Sequence, residues 1–209
     1  MNLDQLRELA TKLDILVWLP EVGIGYYPVK EQPYDADYWA KYREMDQFPS
    51  GEYLTDFRIE FTQVNNVSSM VDVGVGGGRF CEDMDCAGFD INPKAIEWLK
   101  KERRWHNLLM SEKQVDHLTF WDSLEHIHDP KTILSRAKNS VFVSMPIYES
   151  AKHILESKHF RKDEHCWYFT DDGLKWFMRL FGFECERQSM GEQLYREDIH
   201  TYHFRRVNG

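Results

Sequence analysis

Leu3, Leu6, Leu9, Leu13 and Leu16 recur at helical spacing and predict an amphipathic helix that Pro20 stops. An aromatic loop follows, GYYPVKEQPYDADYWAKY, and a second amphipathic stretch runs from Tyr53 to Phe61. Strand signals are poor across residues 1–64, and the polar break Asn65-Asn66 closes that stretch. From Ser68 onward strands and helices alternate. MVDVGV reads as a buried strand before a glycine turn, Cys86 to Ile91 as a second strand, and Val115 to Trp121 as another. SVFVSMPI is almost wholly apolar, as expected for a strand covered on both faces. Asn92-Pro93, Asp129-Pro130 and Thr170 each place a capping side chain ahead of a helical pattern. The second of these predicts a helix through KTILSRAKN, and Glu97 with Lys101 predicts an i,i+4 ion pair on the first. Gly182 ends the last helix, and GFECERQSM with HTYHFRR can close as an antiparallel pair. Alternation of this kind implies an α/β fold with a doubly wound, mostly parallel sheet and helices on both faces. The chain divides into a helical and aromatic segment, residues 1–64, and a ligand-binding domain, residues 65–209.

Composition narrows the function. The 209 residues carry a net charge of −9, which disfavours a general nucleic-acid binder because clustered Lys and Arg are needed to neutralise phosphates. No apolar run approaches the roughly 20 residues that cross a bilayer, and the N-terminus has no apolar signal core, so a cytoplasmic protein is expected. Cys81, Cys86, Cys166 and Cys185 form no C-x-x-C pair and read as reduced thiols. The aromatic content of 14% fills a core and leaves rings for a ligand pocket.

The segment VDVGVGGGRF carries the most chemistry. It places Asp72, Gly74, Gly76 and Gly78 at alternate positions where a strand ends and a helix begins. Side-chain-free backbone there lets a ligand approach the strand tip, and the helix start offers free N–H groups. Asp90 ends the next strand, where a carboxylate can accept hydrogen bonds from a ribose diol. Together they read as an adenosine-binding turn. The spacing G-x-G-x-G differs from the G-x-G-x-x-G of a dinucleotide fold, which disfavours an NAD-type oxidoreductase.

This spacing, with Asp72 two residues ahead of the first glycine, resembles the first motif of class I S-adenosylmethionine-dependent methyltransferases. FDINPKAI, residues 89–96, is similar to their second motif. TFWDSLEHIHDP, residues 119–130, looks like the segment after the fourth strand in the subgroup containing ubiquinone-biosynthesis O-methyltransferases. SVFVSMPI and DEHCWYFTDDGLKWFMRLFGFE resemble the fifth strand and a late Glu-His stretch. The resemblance covers residues 68–206 and implies a Rossmann-like fold, S-adenosylmethionine as cofactor and a small-molecule acceptor, most simply at oxygen. The interval from Asp72 to Asp90 is short, which implies a first helix about one turn shorter than usual, and the stretch before Val115 implies a stunted third strand. Asn107 is the nearest candidate for reading adenine there.

The resemblance also implies site residues. Asp72 would face the methionine ammonium, directly or through water, or else tie down the glycine loop. Gly74, Gly76 and Gly78 would bear the cofactor, Asp90 and Ile91 its nucleoside, and Trp121 and Asp122 its methionine end, with Arg58 on the carboxylate. Glu125 and His126 would begin the active-site wall. His126 is the first candidate for general base because imidazole titrates near neutrality, and His165 is the second. Tyr34, Tyr38, Trp39 and Tyr42 would form a lid or acceptor contacts. His126, His128, His159 and His165 are potential metal ligands, yet the carboxylate-rich site of catechol-type methyltransferases has no counterpart, and no metal is expected. The base-methylating [DNS]-P-P-[YFW] signature is absent, since that position reads WDSLEH. A non-catalytic scaffold that keeps the cofactor pocket is the alternative.

Overall fold

The computed structural model describes residues 1–64 and 69–207, so the Asn65-Asn66 break and Ser68 lie outside the described residues. In chain order the elements are α1 (Leu3–Leu13), β1 (Val17–Leu19), β2 (Ile24–Tyr26), α2 (Ala36–Met45), α3 (Pro49–Thr62), β3 (Met70–Val73), α4 (Arg79–Asp83), β4 (Ala87–Phe89), α5 (Pro93–Lys101), β5 (Val115–Trp121), α6 (Lys131–Leu134), β6 (Ala137–Pro146), α7 (Ala151–Glu156), β7 (Trp167–Phe169), α8 (Asp171–Arg179), β8 (Phe183–Ser189) and β9 (Ile199–Arg206). Short 3-10 turns occupy Leu124–His126 and Gly191–Leu194.

Six strands form the main sheet in the order β4-β3-β5-β6-β9-β8. The first four run parallel, and β9 returns antiparallel between β6 and β8. Every residue of β3 is buried, as its apolar run required. Chain connectivity reverses beside β3, with β4 on one side and β5 on the other, so the crevice above the β3 tip is the switch point of the sheet. This is the doubly wound α/β architecture with its C-terminal antiparallel pair. The expected short first helix is α4, five residues long. The stunted third strand survives as a single bridge between Gly88 and Trp105.

Capping signals were read correctly at two helix starts. The Asn92 side chain accepts from Lys94 N at 2.9 Å, and Thr170 Oγ1 accepts from Gly173 N at 3.0 Å. Four expectations need correction. The first helix ends at Asp14, in left-handed conformation, because Val17–Leu19 joins a strand instead of extending the leucine stripe. The aromatic loop holds a strand and the helix α2, the latter capped by Asp35, whose carboxylate accepts from Tyr38 N at 2.8 Å. The helix after Pro130 is only four residues long, because Ala137 is drawn into pairing with Val115. Glu97 pairs with Lys94 instead of Lys101.

The N-terminal strands change the picture of residues 1–64. β1, β2 and β7 form a second, antiparallel sheet, in which Gly25 lies opposite Tyr168. Ile147, just past β6, bridges to Phe169, so the two sheets are joined. Leu6, Ala10, Ile24 and Tyr26 enter the same apolar core as Val71, Leu118, Trp167 and Phe177. The N-terminal segment is thus built into the body that carries the site.

Candidate active site

The glycine turn follows β3. Gly76 and Gly78 have φ of +54° and +90°, a region that side chains rarely adopt. Their surroundings differ. A Cβ on Gly76 would meet only Tyr42 Cδ1, at 3.9 Å, whereas one on Gly78 would collide with the Trp98 ring at 2.5 Å. At Gly74 the same space is taken by Ser123 Cβ at 2.6 Å. The expectation that all three glycines bare themselves to a ligand is therefore corrected: Gly74 and Gly78 admit protein, and Gly76 alone presents an open face.

Asp90 points at this turn. Its carboxylate accepts from Val75 N at 2.9 Å and from Asn92 N at 2.7 Å, which ties the turn to the end of β4. Burial raises its pKa, while those amides oppose the rise. Ile91 beside it is exposed, an apolar side chain at the strand tip. Asp72 stands elsewhere. It is buried beneath the turn, accepting from Thr119 Oγ1 at 2.6 Å with Cys81 Sγ at 3.8 Å. Burial pushes it up to about 7, against the Thr119 hydrogen bond. It cross-braces β3, β5 and α4, and so cannot face a methionine ammonium directly. Asn107 is also reassigned: its carbonyl oxygen accepts from Leu109 N and Met110 N, closing a local turn.

Beyond β5 the wall forms. Trp121 is buried, its Nε1 has no partner, and the Arg58 guanidinium lies 5.2 Å from its ring centre. Asp122 takes φ of +57° and is clamped by two arginines. Arg58 Nη2 donates to it at 2.9 Å and Arg196 Nη2 at 2.6 Å, while both arginines also bind the fully buried Glu192. Burial alone would raise the Asp122 carboxyl, but Arg196 and Arg58 hold it well below the usual range. Arg58 and Asp122 therefore serve one part-buried ion cluster around Glu192 rather than standing free for a cofactor carboxylate. Glu192 and Arg196 belong to no sequence motif, and only their place on the strand-connecting turn brings them here.

Glu125 and His126 occupy the 3-10 turn after β5, and His165 immediately precedes Cys166 and β7. Cys166 N donates to the Glu125 carbonyl at 2.9 Å, which locks the two segments together. The His126 and His165 rings meet edge to face, 4.7 Å apart. Both imidazoles are neutral: burial lowers His126 to about 4, and burial followed by the His126 charge takes His165 well below its ordinary value. Burial drives Glu125 in the other direction, well above the carboxylate range.

The aromatic residues sit between wall and turn. Tyr34 OH bonds His126 Nδ1 at 2.7 Å. Tyr34 then meets Tyr38 edge to face and Tyr38 meets Tyr42 at a tilt, with ring centres 5.2 and 4.7 Å apart, and the ladder ends over Gly76. Trp39 departs from this group and packs on Trp98 at 5.6 Å. The helix α2, which carries Tyr38, Trp39 and Tyr42, lies over the crevice. Arg43 Nη1 donates to Gly77 O at 2.7 Å, Asn92 Nδ2 donates to Asp35 O at 2.9 Å, and Arg79 N donates to Asp46 Oδ2 at 3.3 Å. None of the residues of α2 is fully buried.

Comparison with known proteins agrees with this geometry. A family model described as a methyltransferase domain matches residues 38–188. Among solved structures, a SAM-dependent methyltransferase from Aquifex aeolicus superposes with a TM-score of 0.58 at 13% identity, covering 81% of this chain and 98% of that one. Magnesium protoporphyrin IX methyltransferase from Synechocystis PCC 6803, with bound SAH, gives 0.54 at 11% identity over 75% and 81%. A chain from the complex of the Haloferax volcanii Trm112 methyltransferase activator with its putative methyltransferase gives 0.58 at 11% identity over 83% and 97%. Among curated proteins no match is found.

Proposed function

The chain belongs to the methyltransferase domain family, whose methyl donor is S-adenosylmethionine, and from that premise we propose that its acceptor is an oxygen atom of a small molecule. The residues at the turn fit this cofactor. Gly76 leaves a bare face, each oxygen of Asp90 keeps a lone pair for a ribose hydroxyl, Ile91 offers apolar surface to adenine, and Trp121 Nε1 is a buried donor without a partner. When bound, S-adenosylmethionine supplies an electrophilic methyl group on sulfur.

The acceptor end is what distinguishes oxygen on a small molecule. The observation that carries this reading is the cluster Glu125, His126 and His165, buried at the head of a tyrosine ladder. A hydroxyl must lose a proton as it is methylated, and an imidazole of that cluster, His126 or His165, each held uncharged by burial, can take it. Tyr34, Tyr38 and Tyr42 supply flat, apolar contact area with hydroxyl handles, suited to a small ring-bearing molecule. Half-buried rings beside this wall do not suit a nucleic-acid strand, which needs a basic open groove. No helix of the described residues is long and apolar enough to cross a membrane.

The test is methyl transfer from radiolabelled S-adenosylmethionine to a panel of small phenols, catechols, aliphatic alcohols and amines. Label in a hydroxylated acceptor, lost in Glu125→Gln, supports the reading. Label confined to amines or to macromolecules contradicts it. One observation favours a second reading: α2 lies over the glycine turn, as it could in a non-catalytic scaffold. Binding of S-adenosylhomocysteine without turnover on any acceptor would select that reading.

A further inference from the structure

Glu125 poses a problem the rest of the wall does not solve. The residue is 1% exposed, and among the described residues neither of its carboxylate oxygens has a hydrogen-bond partner. A lone buried carboxylate is unstable as an anion. As a neutral acid it still lacks an acceptor for its proton. Its neighbours suggest what completes it. His126 Nε2 lies 4.0 Å from Glu125 Oε1, too far for a hydrogen bond, and one ligand atom each from Glu125, His126 and His165 falls within 4.8 Å of the others. The opposite nitrogen of His126 is held by Tyr34 OH at 2.7 Å, the outer contact that orients a ligating imidazole. The arginines of the neighbourhood are engaged elsewhere, Arg196 with Asp122 and Glu192 and Arg161 with Glu164. Small side-chain rotations bring three donors this close onto a shared ion at ligand distances of about 2.0–2.2 Å.

We propose that Glu125, His126 and His165 form a three-ligand site for a divalent cation of the zinc class, open on its remaining side to the acceptor. Two neutral imidazoles and one carboxylate are a borderline donor set, which suits zinc and its transition-metal neighbours better than magnesium or calcium, whose sites are built of oxygen. The sequence pointed away from a metal because no acid cluster was visible. The fold supplies the set differently, by pinning Cys166 to the Glu125 carbonyl and so carrying His165 from a distant segment to the Glu-His pair. The other two histidines considered as ligands are engaged elsewhere, His128 with Tyr26 OH and His159 with the Glu197 carbonyl. The catalytic consequence rests on the oxygen-methylation reading. A hydroxyl on the cation would have a lowered pKa and lose its proton to water before attack. Binding of the ion itself does not depend on that reading.

The experiment is calorimetric titration of chelator-treated full-length protein with Zn2+, with Co2+ absorption spectra reporting the ligand set. The expected result is a single equivalent bound, with affinity at least about tenfold weaker in Glu125→Gln and in His165→Ala and unchanged in His128→Ala. Tyr34→Phe should weaken binding without altering stoichiometry. Circular dichroism establishes that each variant is folded. Should Glu125→Gln fail to fold, His165→Ala and the Co2+ spectrum of the wild type decide. No binding at millimolar Zn2+, or equal affinity in wild type and His165→Ala, overturns the site. Zinc binding without any methyl transfer would contradict the proposed function and leave the site standing.

Discussion

At Asp90 each carboxylate oxygen holds one backbone N–H, from Val75 or Asn92, and has one lone pair left. The residue therefore shapes the turn, and under the proposed function it would also grip the sugar diol. Asp90→Ala removes both roles. It should weaken S-adenosylhomocysteine binding by about 1.5–3 kcal/mol, at least tenfold, by calorimetry. Unaltered affinity would deny the residue a place in the site. Asp72 makes a different prediction because its place is structural. Burial raises it from 3.8 to about 7, so between these values the folded state binds the proton that the unfolded state has released. Its contribution is therefore least costly below pH 4 and most destabilising above pH 7. Asp72→Asn, which can still accept from Thr119, should remove that decline, so the stability advantage of the variant grows as pH rises from 4 to 7 in urea titrations. An advantage that shrinks over that range contradicts the assignment. Ordinary residue chemistry made Asp90 legible in the sequence. The buried environment that raises Asp72 was not, since the partners Thr119 and Cys81 come from other elements.

At the scale of elements, α2 is the piece most open to movement. It buries no residue completely, and its hold on the turn rests on a few contacts, chiefly Arg43 to Gly77 O and Asp35 O to Asn92. Elements with few buried contacts open at low free energy. A cofactor seated on Gly76 must displace Tyr42, so its apparent affinity carries the cost of opening α2. Arg43→Ala lowers that cost. The variant should bind S-adenosylhomocysteine about threefold more tightly or better, with faster amide exchange across residues 36–46. Weaker binding would mean that α2 closes over the cofactor and helps to hold it. Sequence patterns revealed some elements better than others. The strands of the parallel sheet were readable because both faces are covered, leaving nearly continuous apolar runs in β3 and β6. β1 and β2 were not, because each is three residues long and β2 takes its second partner, β7, from far along the chain. The resemblance pointed to Tyr34, Tyr38, Trp39 and Tyr42 as lid candidates, yet that a ladder of the three tyrosines links His126 to Gly76 is a property of the folded chain.

The whole molecule joins two sheets around one site. The main sheet places its switch point beneath Gly76 and Asp90, while the small sheet positions His165 just ahead of β7, the strand that β2 pairs with. Neither sheet alone assembles the wall, since Glu125 and His126 follow β5 and His165 precedes β7. The N-terminal residues 1–26 accordingly support the acceptor end through β2. Truncation past Tyr26 would strip the partner of β7, and loss of the His126–His165 contact should follow. That loss can be followed by NMR of the two imidazoles. Retention of their native shifts would contradict the coupling. The central claim is narrower: the β3 tip with Asp90 is an S-adenosylmethionine site. Isothermal titration of the intact chain with S-adenosylhomocysteine tests it most directly. The account predicts saturable binding at one site, lost or strongly weakened in Asp90→Ala, whereas absence of binding by folded wild-type protein at near-millimolar ligand would contradict it.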